Sequence, residues 1–136
     1  MTIGFTGTRK GLTEQQKTQL TIIMRCLHDH DFHHGDCIGA DAEAHRIAER
    51  AGKCIIIHPP VDKKYRAYCT VTLGHYVPPD KYIARNHAIV DASDKIIACP
   101  DGPERSHSGT WATIRYAQKT GKKVMIIYPW GATKVV

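Results

Sequence analysis

The chain has 136 residues, of which 42% are hydrophobic and 24% are charged. This length and composition predict one domain over residues 1–136 with a hydrophobic core large enough to need no disulfide or metal. There is no run of 18 apolar residues, and the N-terminus lacks the apolar segment of a signal peptide. We therefore expect a cytoplasmic protein that contacts no membrane.

The formal net charge of +6 suits an anionic partner such as a nucleotide or a nucleic acid. Lysine and arginine are scattered along the chain without a basic block. This scatter favours a small ligand, or charge that serves only solubility, over a nucleic-acid track. The five cysteines have irregular spacing and form no CxxC pair, so we expect reduced thiols rather than disulfides or a zinc ribbon.

The first segment predicts a strand, a glycine turn and a helix. Residues 2–5 are mostly apolar, and the helix should follow because Thr13 and Gln16 have the spacing of a capping box. Apolar residues then recur at helical intervals to an expected end near His30. This order is typical of a phosphate-binding start, although the turn does not have the GxGxxG pattern. The turn residues expected to contact a phosphate are Gly7, Thr8 and Arg9. An ordinary surface position is the alternative for Arg9.

A second loop of small residues lies between a predicted strand at Phe32 and a helix predicted from Ala42 to Arg50. Its glycines permit tight turns or the close approach of a ligand, and its aspartates offer acceptors to ribose hydroxyls. The candidate ligand residues in this loop are Gly35, Asp36, Gly39 and Asp41. Asp41 suits a helix cap equally well.

Histidines and a cysteine around the same loop raise the question of a metal ion. The residues concerned are His33, His34, Asp36, Cys37 and His45. Neighbouring residues of a strand point to opposite faces, and no second spaced pair completes a set of ligands. We therefore predict no metal site.

The middle of the chain begins with a continuous apolar stretch at 53–57, which is typical of a strand buried in a parallel sheet. Residues 61–79 follow no period and interleave cations with tyrosines, so this segment either closes over a nucleotide or is solvated surface. A helix is expected over 80–91, and it carries Arg85 and Asn86.

The segment from Lys95 to Pro129 contains a complete strand, loop, helix and strand. A connection of this length allows a crossover helix, so the two strands should be parallel, with the loop at their carboxyl ends. The start of the helix offers free N–H groups, hydroxyls and the positive end of the helix dipole, which together predict the main anion seat. This seat is Ser108, Gly109 and Thr110. The alternative is that Ser108 or Thr110 only caps the helix. The tail after Pro129 has no assignable pattern.

Taken in order, GFTGTR, HGDCIGAD, the helix with RN, SDKIIACP and SGTWATIRYAQKTGKKVMII resemble the SLOG superfamily. That group includes the Smf (DNA-processing protein A) family, the lonely-guy (LOG) phosphoribohydrolases and small YspA-like proteins, and the chain looks most similar to the last of these. The resemblance implies a Rossmann-like three-layer sandwich with a mostly parallel sheet of about five strands. It also implies a homo-oligomer and a nucleotide or nucleotide-derived ligand, such as an ADP-ribose derivative.

The resemblance to the LOG enzymes extends to individual residues. Arg85 matches an arginine in the helix before their SDxxIALPGG strand, and 108–113 match their PGGxGTxEE loop. Ala112 and Thr113 stand in the places of the two glutamates. Cleavage of an N-glycosidic bond needs a carboxylate near a cationic transition state, so this difference argues against LOG-type hydrolysis unless another carboxylate substitutes. The candidates for that role are Asp36, Asp41, Asp101 and Glu104.

The leading hypothesis is therefore the binding of a nucleotide or nucleotide-derived ligand, for sensing or sequestering, with no further cofactor. The alternative is an N-glycosidase or phosphoribohydrolase that acts on a nucleoside monophosphate. A second alternative is the binding of single-stranded DNA after the manner of Smf, which would use the positive charge. Whether the protein is an enzyme stays open.

Overall fold

The computed structural model describes residues 1–136 and has an α/β architecture. The strands are β1 (Thr2–Gly7), β2 (Asp31–His34), β3 (Ile55–Ile57), β4 (Gly74–Tyr76), β5 (Lys95–Cys99), β6 (Lys123–Ile127) and β7 (Thr133–Val135). The helices are α1 (Glu14–Cys26), α2 (Ala40–Arg50), α3 (Tyr82–Asp91) and α4 (Gly109–Lys119). None of these helices combines the length and the apolar character needed to cross a membrane.

All seven strands form one sheet in the order β4-β3-β2-β1-β5-β6-β7. Every neighbouring pair is parallel except β6 and β7. The chain runs outward from β1 to β4, then returns to the other side of β1 and runs outward again from β5. The strand order therefore reverses between β1 and β5, and at such a point the loops after the two strands diverge and leave a crevice.

Helices cover both faces of the sheet, which confirms the Rossmann-like three-layer sandwich. On one face, Leu20 and Met24 of α1 and residues of α2 pack in one core with Phe5 and Phe32. On the other face, Val90 of α3 and residues of α4 pack with strands β5 and β6. Strand β5 alternates between these two cores and is buried on both sides, as expected for a central parallel strand.

The predicted start of α1 is confirmed, but its predicted end is wrong. The Thr13 hydroxyl accepts the N–H of Gln16 at 3.1 Å, and the Gln16 side chain accepts the N–H of Thr13 at 3.0 Å. The helix ends at Cys26 rather than near His30, because the chain turns through Asp29 with a left-handed φ of 58°. Helix α2 likewise begins at Ala40, two residues before the predicted start.

The sheet has seven strands rather than about five. The two extra strands, β4 and β7, lie at the two edges, and each has three exposed residues. A three-residue exposed strand has no hydrophobic period, so pairing with β3 or β6 is what forms it. Strand β4 also places some regular structure inside residues 61–79, for which the sequence predicted none.

Candidate functional site

A cavity of about 430 Å³ lies where the strand order reverses, at the carboxyl ends of β1 and β5. Small-molecule sites typically enclose about 300–1,000 Å³. Ten of the twelve sequence-predicted ligand residues line this cavity: Gly7, Thr8, Arg9, Gly35, Asp41, Arg85, Asn86, Ser108, Gly109 and Thr110. Asp36 and Gly39 do not line it. The fold thus brings together residues from three loops and three helices.

The start of α4 presents free backbone donors to the cavity. Ser108 caps the helix, since its Oγ accepts the N–H of Trp111 at 3.2 Å. The next two N–H groups, of Gly109 and Thr110, lie in the first turn, where no helical carbonyl can accept them. A Cβ at Gly109 would meet no protein atom within 4 Å, so the space beside this residue is open. The hydroxyl of Ser108 is therefore structural, and the backbone next to it can hold an anion.

The turn after β1 is held firmly by its neighbours. The Thr8 N–H donates to the carbonyl of Cys99 at 3.2 Å, and the Thr8 carbonyl accepts the N–H of Ala40 at 3.0 Å. A Cβ at Gly7 would lie 2.5 Å from the Cβ of Ala40, so glycine here permits α2 to approach the strand. The Arg9 guanidinium lies 4.1 Å from the centre of the Tyr65 ring. An aromatic face orients the guanidinium without neutralising it, so Arg9 keeps its charge beside the cavity.

Arg85 forms part of the cavity wall and is 5% exposed. Its Nη1 donates to the carbonyls of Gly35 and His58, and its Nε donates to the Asn86 side chain at 2.8 Å. A Cβ at Gly35 would collide with the guanidinium, so glycine is what lets the arginine lie against this loop. These contacts fix the guanidinium against the loop after β2, where it adds positive charge to the wall.

Asp41 brings a carboxyl group to the same cavity. Its Oδ2 accepts the N–H of Cys37 at 3.1 Å, and the carboxyl forms no ion pair. Burial raises the pKa of Asp41 to about 6, although Arg85 acts in the opposite direction. The group therefore exchanges its proton in the range where a general acid or base is useful. It does not cap α2, for which Gly39 is the N-cap.

Asp36 and Gly39, both predicted ligand residues, hold the protein together instead. The Asp36 side chain is fully buried; it pairs with Arg66 at 3.0 Å and accepts the N–H of Cys69 at 2.9 Å. Gly39 has a φ of 85°, and a Cβ there would lie 2.3 Å from the backbone oxygen of Arg9. Glycine is needed at this position because two backbone segments meet without room for a side chain.

Several cavity residues were absent from the predicted set of ligand residues: Lys10, Cys37, Tyr82, Asp101, Arg105 and His107. Asp101 had been considered only as a substitute carboxylate. Most of them adjoin a predicted motif, and this adjacency is the signal that would have found them. Four cationic side chains and two carboxylates line the cavity, which favours an anionic ligand.

Two of the residues considered for a metal site, His34 and His45, meet Cys69 in a buried cluster with ligand atoms within 4.8 Å of one another. The N–H of Asp36 donates to His34 Nδ1 at 3.0 Å, so neutral His34 carries its proton on Nε2. That proton goes to His45 Nδ1 at 2.9 Å, and His45 Nε2 donates to the Thr70 carbonyl at 2.9 Å. A metal ion on His34 Nε2 would force a proton onto Nδ1, against the backbone donor. The cluster therefore suits a hydrogen-bonded relay better than a metal ion.

His33 and His34 point to opposite faces of β2, as expected for neighbours in a strand. His33 Nδ1 lies 2.7 Å from His58 Nε2, with which it shares a hydrogen bond. Burial lowers the pKa of both rings, that of His58 to about 4. The pair is therefore uncharged at neutral pH.

No family model matches the chain, and no curated protein matches it. The chain is similar in structure to the molybdenum cofactor binding protein from the phototrophic bacterium Rippkaea orientalis, with a TM-score of 0.71 and 23% identity over 93% of this chain and 76% of that one. It is similar to the structural-genomics protein TM1055, with a TM-score of 0.66 and 17% identity over 90% of this chain and 71% of that one. The molybdenum cofactor carrier protein from Chlamydomonas reinhardtii gives a TM-score of 0.64 and 21% identity over 92% of this chain and 74% of that one. These likenesses establish the Rossmann-like fold, while membership of the SLOG superfamily and self-association stay predictions.

Proposed function

We propose that the protein binds a nucleotide or nucleotide-derived ligand, such as an ADP-ribose derivative, in the cavity between β1 and β5. The phosphate would lie against the free N–H groups of Gly109 and Thr110, with Arg9 providing positive charge. Asp41 would accept a hydrogen bond from a hydroxyl or ring N–H of the ligand. The protein would thereby sense or sequester the ligand.

One observation carries this proposal: unpartnered donors at the start of α4 face the same cavity as the turn after β1. Each feature alone has a purely structural explanation, a helix cap or a tight turn. Together they line one cavity of ligand size whose cations outnumber its carboxylates. A phosphate satisfies both the backbone donors and the positive charge.

The structural neighbours support small-molecule binding in general terms. Two of them bind or carry a molybdenum cofactor, which is a small molecule, on the same fold. Identities of 23% and 21% do not extend the identity of that ligand to this chain. The nucleotide is therefore proposed from the chemistry of the cavity.

The test is mass analysis of a panel of nucleoside monophosphates, ADP-ribose, cyclic ADP-ribose and NAD after incubation with the protein, with retained and free fractions analysed separately. One intact compound in the retained fraction is the expected result. If the protein retains none of them, the proposal fails.

A matched pair of glycine variants then tests the seat. Gly109→Val places a side chain in the open space beside the free N–H groups, and we expect at least a roughly hundredfold loss of affinity because a phosphate and the valine cannot share this space. Gly102 in the same loop also has open space around its Cβ position but does not line the cavity, so Gly102→Val is the control. Both proteins should unfold at the same temperature. If Gly109→Val and Gly102→Val bind the retained compound with equal affinity, the start of α4 is not the phosphate seat.

A second candidate function, hydrolysis of an N-glycosidic bond, is favoured by Asp41. Four carboxylates are candidates to replace the missing glutamates, and three of them are already ion-paired. Asp36 is buried against Arg66, Glu104 pairs with Arg115, and Asp101 pairs with Arg105. Asp41 alone combines cavity lining, no ion pair and a raised pKa. A free base with ribose phosphate in the mass analysis, lost in Asp41→Asn, would establish hydrolysis instead of binding.

A further inference from the structure

One carboxylate at the edge of the cavity holds two cations that come from different loops. Asp101 follows β5, and its oxygens lie 2.5 and 3.2 Å from the two terminal nitrogens of Arg105. The same carboxyl group lies 3.1 Å from Nζ of Lys10, which belongs to the turn after β1. All three side chains line the cavity. The Asp101 carboxylate is thus an anion that Lys10 and Arg105 already bind together, beside the proposed phosphate seat.

The three side chains differ in how freely they can move. The Asp101 side chain is 12% exposed, whereas that of Arg105 is 50% exposed and that of Lys10 is 79% exposed. The carboxylate is therefore enclosed, and the cations reach toward solvent. A ligand entering from solvent meets the cations first and can draw them away from Asp101 without disturbing the end of β5.

The arrangement differs from the simple ion pair that Arg115 and Glu104 form at the surface. Arg115 and Glu104 form a pair at 3.0 Å, with side chains 40% and 58% exposed, and neither residue lines the cavity. Exposed ion pairs of this kind contribute little to the free energy of unfolding. By contrast, the pKa of Asp101 is lowered to about 2, chiefly through its hydrogen bond with Arg105, so this carboxylate stays ionised at any physiological pH.

We propose that Lys10 and Arg105 form a second anion subsite in which Asp101 stands in for a ligand phosphate. The inference rests on the proposed function and narrows it: the ligand carries a diphosphate, with one phosphate at the start of α4 and the other on Lys10 and Arg105. A diphosphate bears enough charge to compete with a single carboxylate for the two cations. Asp101 therefore lowers the affinity for anions and sets how much charge a ligand needs.

The test uses inorganic pyrophosphate and orthophosphate as probes, with titration calorimetry on the full chain. The wild type should prefer pyrophosphate. Asp101→Asn removes the competing charge while keeping the size of the side chain, and we expect pyrophosphate to bind about tenfold more tightly, with a smaller gain for orthophosphate. Arg105→Gln should lower the ratio of pyrophosphate to orthophosphate affinity, and Asp101→Asn combined with Arg105→Gln should lose the gain. Glu104→Gln is the matched control and should leave both affinities unchanged.

Weaker binding of pyrophosphate by Asp101→Asn would overturn the inference, because Asp101 would then position the cations for the ligand rather than compete with it. An unchanged ratio in Arg105→Gln would also overturn it. If Gly109→Val lowers orthophosphate affinity while the Asp101 and Arg105 variants leave the ratio unaltered, the proposed function stands and only the second subsite fails. If Gly109→Val has no effect on either probe, the proposed function fails first. Equal unfolding temperatures of the variants show that the comparison is between folded proteins.

Discussion

Two polar regions flank the loop after β2, and they differ in how their hydrogen bonds are satisfied. The closed network, defined as His34, Asp36, His45, Arg66 and Cys69, is largely buried, and its hydrogen bonds run between protein groups. The cavity holds the same kinds of groups, but the N–H groups at the start of α4 and the carboxyl of Asp41 retain bonding capacity.

The difference separates polar residues that stabilise the fold from those available to a ligand. A buried polar group costs free energy unless it is paired, so a complete set of partners indicates a structural role. A group that keeps bonding capacity and faces a cavity is available to a ligand. Asp36 and Asp41 are only five residues apart, in the loop after β2 and in the first turn of α2, and this criterion assigns them opposite roles.

The largest expected effect tests the closed network. Asp36→Ala leaves the Arg66 guanidinium and the Cys69 N–H without their partner, and we expect the free energy of unfolding to fall by about 3 kcal/mol. Urea denaturation measures it. Asp62→Ala, at an exposed position, should cost less than about 1 kcal/mol. An Asp36 variant with normal stability and lost ligand affinity would place Asp36 in the ligand site, and the distinction between the closed network and the cavity would then be wrong.

A smaller loss should follow from His34→Leu. This change removes the acceptor for the Asp36 N–H and the donor to His45, which we expect to cost about 2 kcal/mol. Because His34 and Asp36 belong to one network, the double variant should lose less than the sum of the two single losses. Strictly additive losses in urea denaturation would mean that the two residues do not act as a network.

The cavity should respond to pH through Asp41. As the pH falls from about 7.5 to about 5.5, Asp41 gains a proton because its pKa is raised, and the cavity loses a negative charge. The neutral carboxyl keeps an acceptor oxygen for the ligand but no longer repels its phosphates. The affinity for an anion whose own charge is constant over this range, such as ADP-ribose, should then rise by about threefold. The difference between the wild-type and Asp41→Asn profiles of affinity against pH isolates the effect of this carboxyl. If affinity changes with pH equally in the wild type and in Asp41→Asn, Asp41 is not the titrating group.

The smallest expected effect concerns metal ions. If His34 and His45 form a hydrogen-bonded relay, a chelator should not change the unfolding temperature and added zinc should not raise it. Differential scanning calorimetry with and without EDTA measures this. If one equivalent of zinc stabilises the wild type but not Cys69→Ser, the cluster is a metal site rather than a hydrogen-bonded relay.

Local signals predicted much of the candidate site. The capping pair at Thr13 and Gln16, the glycine turn after β1 and the start of α4 depend on residues within a few positions of one another, so the sequence reveals them directly. The continuous apolar run at 53–57 and the length of the connection between the last two predicted strands indicated a parallel sheet for the same reason. Edge strand β4 could not be predicted, because its three exposed residues are held by pairing with β3 rather than by a pattern of their own.

The other features of the candidate site depend on contacts between residues that are distant in the chain. Asp36 and Asp41 look alike in sequence, but Arg66 lies thirty residues from Asp36 and pairs with it only in the folded chain. The pairing of Lys10 with Asp101 spans most of the chain in the same way. The sequence by itself determined the order of the central strands and the four helices, the starts of α1 and α4 and the positive charge, since these follow from neighbouring residues and composition. Only the tertiary structure decided which polar groups are satisfied and which face the cavity, because hydrogen bonds and ion pairs depend on distance in space.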